Sequence, residues 1–131
     1  GVILGTPGAG SGLDHENMRD VLKSIADENL TIFLHPHYGL GNEQYHNTGH
    51  ALFLALGFPF ETTAAVSRLI VTGVLDEIPN LKLLIAHAGA ALPSLIGRLD
   101  SCVAHDLGTF FSFFPIENNL DILMLSFIVY L

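Results

Sequence analysis

The chain has 131 residues, half of them hydrophobic, with a mean hydropathy of +0.48 and a formal net charge of −8. That length supports one domain with a real core, and five scattered basic residues against 13 acids exclude the clustered Lys and Arg that nucleic acids and anionic membranes require. A single cysteine, Cys102, excludes an internal disulfide and suits a reducing, cytoplasmic compartment.

In chain order, residues 2–4 predict a short apolar strand. Residues 6–12 (TPGAGSG) match neither phosphate-loop spacing and read as a β-to-α loop. Asp14 is the expected N-cap of a helix reaching about Glu28, with Met18, Val21, Leu22 and Ile25 as its buried stripe and Asn29 as its stop. Residues 30–34 (LTIFL) predict the next strand, so this stretch forms a right-handed βαβ unit with parallel strands.

Residues 35–48 form a long loop rich in Gly and Asn, of the length that compact domains keep for function. Residues 50–56 predict a short apolar helix, ended by a turn at Pro59. A new helix then starts with Glu61 in its first turn, where a negative charge suits the helix dipole. It carries Ala64, Ala65, Val66, Leu69 and Ile70, stops at Gly73, and is extended by one turn over 74–78. Residues 81–86 predict a third strand. A last helix starts at Gly89, with Pro93 in its first turn and Leu95, Ile96, Leu99, Val103 and Leu107 facing inward. Residues 108–131 form a divergent, Phe-rich and apolar tail without a clean period. No run reaches the roughly 18 apolar residues of a membrane span; the nearest is 122–131.

Histidines carry the functional signal. Two apolar strands end in imidazoles, His35 and His87, and strand C-termini are where parallel α/β folds build their sites. A neutral imidazole is a good ligand for a divalent metal. His35 is favoured as that ligand over His37, because residues two apart on an extended chain face opposite ways. His87 reads as a second ligand or as a general base beside a metal. His50 sits where the long loop folds over the strand ends, whereas His46 reads as solvated and His15 and His105 as surface residues. Arg98, in an otherwise apolar helix, suits bidentate recognition of a carboxylate or a surface pair with Asp100. Cys102 reads as inert core.

Five blocks in order carry a family resemblance: HPHYGL from His35, GHALFLALGFPFETT from Gly49, GVLDEIPNLK from Gly73, LIAHAG from Leu84, and Leu92-Pro93 through Gly97-Arg98-Leu99 to His105-Asp106. Over residues 1–107 the chain resembles the amidohydrolase-related decarboxylases, the aminocarboxymuconate-semialdehyde decarboxylase family. Within that family it is most similar to the 6-methylsalicylate, γ-resorcylate and uracil-5-carboxylate decarboxylases. The resemblance implies a (β/α)8 (TIM) barrel with one divalent metal, Zn or Mn. It implies His35 as a metal ligand, His87 as the catalytic histidine, and Arg98 and His50 as substrate-binding residues. The implied reaction is non-oxidative loss of CO2 from a small aromatic acid such as 6-methylsalicylate, with homo-oligomerisation left open.

A barrel takes about 250 residues, so residues 1–107 are expected to be a middle segment of one, and the chain a truncated form of such a carboxy-lyase. The family's opening His-x-His or Glu-x-His motif has no counterpart here, and the pair of glycines after the catalytic His reads Gly89-Ala90. Two other readings stand beside this one: a hydrolase of the wider amidohydrolase class, and a non-catalytic half-barrel that serves as an interaction module.

Overall fold

A computed structural model describes residues 1–106; the tail predicted at 108–131 lies outside the described residues. Strand β1 (Val2–Gly5), helix α1 (Glu16–Asp27), strand β2 (Thr31–His35), helices α2 (Phe58–Val71) and α3 (Val74–Glu77), strand β3 (Lys82–Ile85) and helix α4 (Leu92–Asp106) follow in order. The strands form one parallel sheet, β1-β2-β3. Ile3 pairs with Phe33, which pairs with Leu84, and Gly5 pairs with His35.

Side-chain alternation along a strand gives the sheet two faces. Ile32, Leu34, Leu83 and Ile85 lie on one, are 0–5% exposed, and join Leu22, Val66, Leu69 and Val74 in the core under the helices. Ile3, Phe33, His35 and Leu84 lie on the other face. Ile3 there is 73% exposed. This parallel α/β layering is consistent with an arc of a barrel whose inner face is the one carrying His35.

Several expectations are revised. The N-cap of α1 is His15, whose Nδ1 accepts from the Asn17 amide at 3.2 Å. Asp14 instead binds Arg68 through both carboxylate oxygens, at 2.8 and 3.0 Å. Asn29 ends α1 as predicted, in the left-handed region at φ 56°. The break expected at Pro59 does not occur: Phe53–Gly57 is a π-helical stretch that runs directly into α2, with Pro59 in its first turn. A proline has no N–H to donate, and a widened turn before it accommodates the ring without ending the helix.

The combined helix Phe53–Val71 is therefore long and apolar enough to cross a membrane by length and composition, although Glu61 and Arg68 interrupt its apolar run. Its Val66 and Leu69 are buried in the core and its Glu61 is hydrogen-bonded, as in a core helix. Val21 and Leu95, assigned to buried stripes, are each 43% exposed, and Cys102 is exposed rather than core.

Candidate functional site

His35 and His87 leave the ends of adjacent parallel strands and meet. Their ring centroids are 5.6 Å apart. Phe58, at the start of α2, closes the group, 6.2 Å from His35 edge-on and 6.5 Å from His87 in a stacked arrangement. Phe33, one face-period behind on β2, packs edge-on against His35 at 5.8 Å. The result is an imidazole pair in an aromatic frame, on the sheet face opposite the one that, among the described residues, packs under the helices.

One contact sets the tautomer of His35. Its Nδ1 lies 2.7 Å from the carbonyl oxygen of Pro36. A carbonyl only accepts, so in the neutral ring Nδ1 carries the proton and Nε2 the lone pair. His87 is held differently. Partial burial, then the neighbouring His35, lower its pKa below the ordinary histidine value. Its backbone is strained: His87, Ala88, Gly89 and Ala90 have φ of 55°, 51°, 80° and 56°. Three of these are not glycine, and strain of this kind is kept where the surroundings enforce a functional geometry.

The first turn of α2 ties both loops down. Thr63, buried, donates to the Pro59 carbonyl at 2.8 Å and accepts the Ala91 amide at 3.0 Å, just past His87. Glu61, 8% exposed, accepts the amides of His37 and Tyr38 at 2.9 Å each, the amide of Gly39, and the hydroxyl of Thr6. Burial alone would raise the Glu61 carboxyl. The bonds from Thr6 and the three amides outweigh it and hold the pKa below the ordinary value. Sequence reading missed this role, having assigned Glu61 to the helix dipole. The available signal was a lone carboxylate on a core-facing helix turn, which needs partners once buried.

The remaining candidates make no ring contact with the imidazole pair among the described residues. His37 is exposed and packs on Tyr38, with ring centroids 4.4 Å apart. His50 is exposed at the start of the helical segment leading to Phe58. Arg98 is exposed on α4 and pairs with neither Asp100 nor another acid among the described residues. A cleft of about 320 Å³ opens beyond Glu61, lined by Asp14, Tyr38 and Arg68 among others, and neither His35 nor His87 lines it.

As a metal centre the group is partial. His35 has the donor chemistry of a ligand, with no hydrogen bond to Nε2 among the described residues. No group of three or more His, Cys, Asp or Glu converges among the described residues, and a catalytic divalent metal ordinarily takes three protein ligands. The residues present thus fit one ligand position, with His87 beside it.

Comparison with known proteins bears on what such a pair does. The amidohydrolase family model matches residues 3–123. The IDCase of Metarhizium anisopliae, in its apo crystal structure, superposes with a TM-score of 0.77 and 51% identity over 81% of this chain and 29% of that one. The 6-methylsalicylic acid decarboxylase of Penicillium expansum is 33% identical over 75% of this chain and 30% of its own length. The 2-amino-3-carboxymuconate-6-semialdehyde decarboxylase of Dictyostelium discoideum is 29% identical over 76% and 27%. The chain thus spans less than a third of the length of these relatives. It belongs to the amidohydrolase family, among relatives that are decarboxylases.

Proposed function

We propose that this chain is an arc of a (β/α)8 barrel carrying part of the active site of a metal-dependent, non-oxidative decarboxylase. Its substrate class is the small aromatic carboxylic acid, of which 6-methylsalicylate is the type. The observation that carries the reading is the meeting of His35 and His87, 5.6 Å apart, at the C-terminal ends of neighbouring strands on the uncovered sheet face. The decarboxylase names of the relatives support the reaction class.

His35 would present Nε2 as one ligand to a divalent metal such as Zn or Mn, whose ligand set the described residues do not complete. Such an ion, when bound, supplies positive charge that orients the substrate carboxylate and its neighbouring oxygen. His87 delivers a proton to the ring carbon that bears the carboxylate. The electron pair of the C–C bond then returns to the ring, aromaticity is restored, and CO2 leaves. Phe33 and Phe58 wall the site with apolar surface that suits an aromatic ring. His50, and Arg98 through its exposed guanidinium, are the candidates for holding substrate oxygens.

His87→Ala tests the assignment. With Zn or Mn supplied, CO2 release from aromatic acids is expected to fall by about 10²–10⁴-fold, the span of a lost general acid, with metal binding retained. Undiminished turnover in His87→Ala contradicts it.

A further inference from the structure

We propose that Glu61 is a positioning residue for the imidazole of His35, acting through the single peptide unit between Pro36 and His37. Its consequence for metal binding rests on the reading of His35 as a ligand; its consequence for the His35 proton does not.

The carboxylate of Glu61 gathers three consecutive amides, those of His37, Tyr38 and Gly39, into an anion nest. Gly39 makes the nest possible, since its φ of 72° is a conformation other residues rarely adopt. The first of the three amides decides the matter. Peptide units here are trans and planar, so the N–H of His37 and the C=O of Pro36 point to opposite sides of one rigid plate. Glu61 holds the N–H side at 2.9 Å. The C=O side receives the Nδ1 proton of His35 at 2.7 Å. Fixing the plate therefore fixes the acceptor that chooses the tautomer of His35. Nε2 is left free, which is the arrangement in which backbone carbonyls hold metal-binding imidazoles. A residue that merely stapled the loop would satisfy the amides without governing the ring.

The test uses the whole chain with ¹⁵N-labelled histidine, comparing the parent with Glu61→Gln. Glutamine keeps the shape, removes the charge, and turns an NH2 group toward N–H donors. In the parent, the imidazole nitrogen spectrum is expected to show His35 protonated at Nδ1. In Glu61→Gln, the Nε2-protonated form should appear, and amide exchange at His37, Tyr38 and Gly39 should rise by roughly tenfold or more while Leu34 and Ile85 stay protected. Loosened amides with an unchanged His35 spectrum would overturn the proposal. Should Glu61→Gln fail to fold, Thr6→Val removes one donor and keeps the carboxylate; a folded Thr6→Val chain with freed amides and an unmoved His35 overturns it equally. Thr63→Val is the control, releasing the Ala91 amide without touching His37.

Titration with Co²⁺, followed by its visible absorption, separates the two claims. Glu61→Gln should weaken Co²⁺ binding by about 10–100-fold, the usual loss when an outer partner of a ligand is removed, and His35→Gln should abolish it. Equal affinity in Glu61→Gln and parent overturns the metal consequence. A parent whose His35 ring nitrogens are unperturbed even by excess Co²⁺ defeats the ligand reading of His35, and the imidazole spectra without metal then decide the role of Glu61 alone.

Discussion

Glu61 shows why single residues are the hardest level to read. Its partners lie 22, 23 and 24 positions away in the loop and 55 away at Thr6, so no local spacing announces them. His35 and His87 were legible because each ends an apolar run, a pattern contained within a few residues. The buried carboxylate has a pH signature. Because its folded pKa is depressed, its contribution is fully present above the unfolded value and is lost as pH falls through the folded one. Denaturant unfolding should therefore show the parent losing stability relative to Glu61→Gln between pH 7 and strongly acid conditions; parallel losses would refute the assignment. The strained turn makes a second prediction. Ala90 sits at φ 56°, ψ −126°, a region open to glycine. Ala90→Gly should stabilise by about 1 kcal/mol, the relieved strain exceeding the added chain entropy, and a lowered denaturation midpoint would count against it.

Strands and helices were mostly legible, because apolar runs closed by Gly, Pro and Asn mark them well. The parallel pairing followed from a helix lying between consecutive strands. The segment before α2 was misread because Gly57 and Pro59 look like a break, and whether proline ends or merely widens a helix depends on what the turn packs against. Here Phe58 packs on Phe53, with ring centroids 4.8 Å apart, which carries the chain straight through. Continuity matters for the site: α2 presents Phe58 to the imidazoles, Glu61 to one loop and Thr63 to the other. Its anchorage is Val66 and Leu69, 0% and 1% exposed. Leu69→Ala should cost about 2–5 kcal/mol and, measured by amide exchange, loosen both loops; loss of stability with the loops still protected would separate the anchor from the site.

The whole molecule explains which sheet face does the chemistry. Among the described residues β1 and β3 each pair on one side only, and the helices cover one face. Sequence alone showed the strands but not their faces, since the middle of each is apolar on both sides and alternation is then hidden. The exposed Ile3 and the His35 on the same side of the sheet mark the other face as the one a closed barrel turns inward. The central claim is that this face carries a metal ligand. Zn titration of the ¹⁵N-histidine-labelled chain, with His35→Ala to assign the signal, tests it most directly. One ligand position holds an ion weakly, so the expected result is a shift of the His35 Nε2 resonance at excess Zn; a His35 resonance unmoved at excess Zn would contradict it.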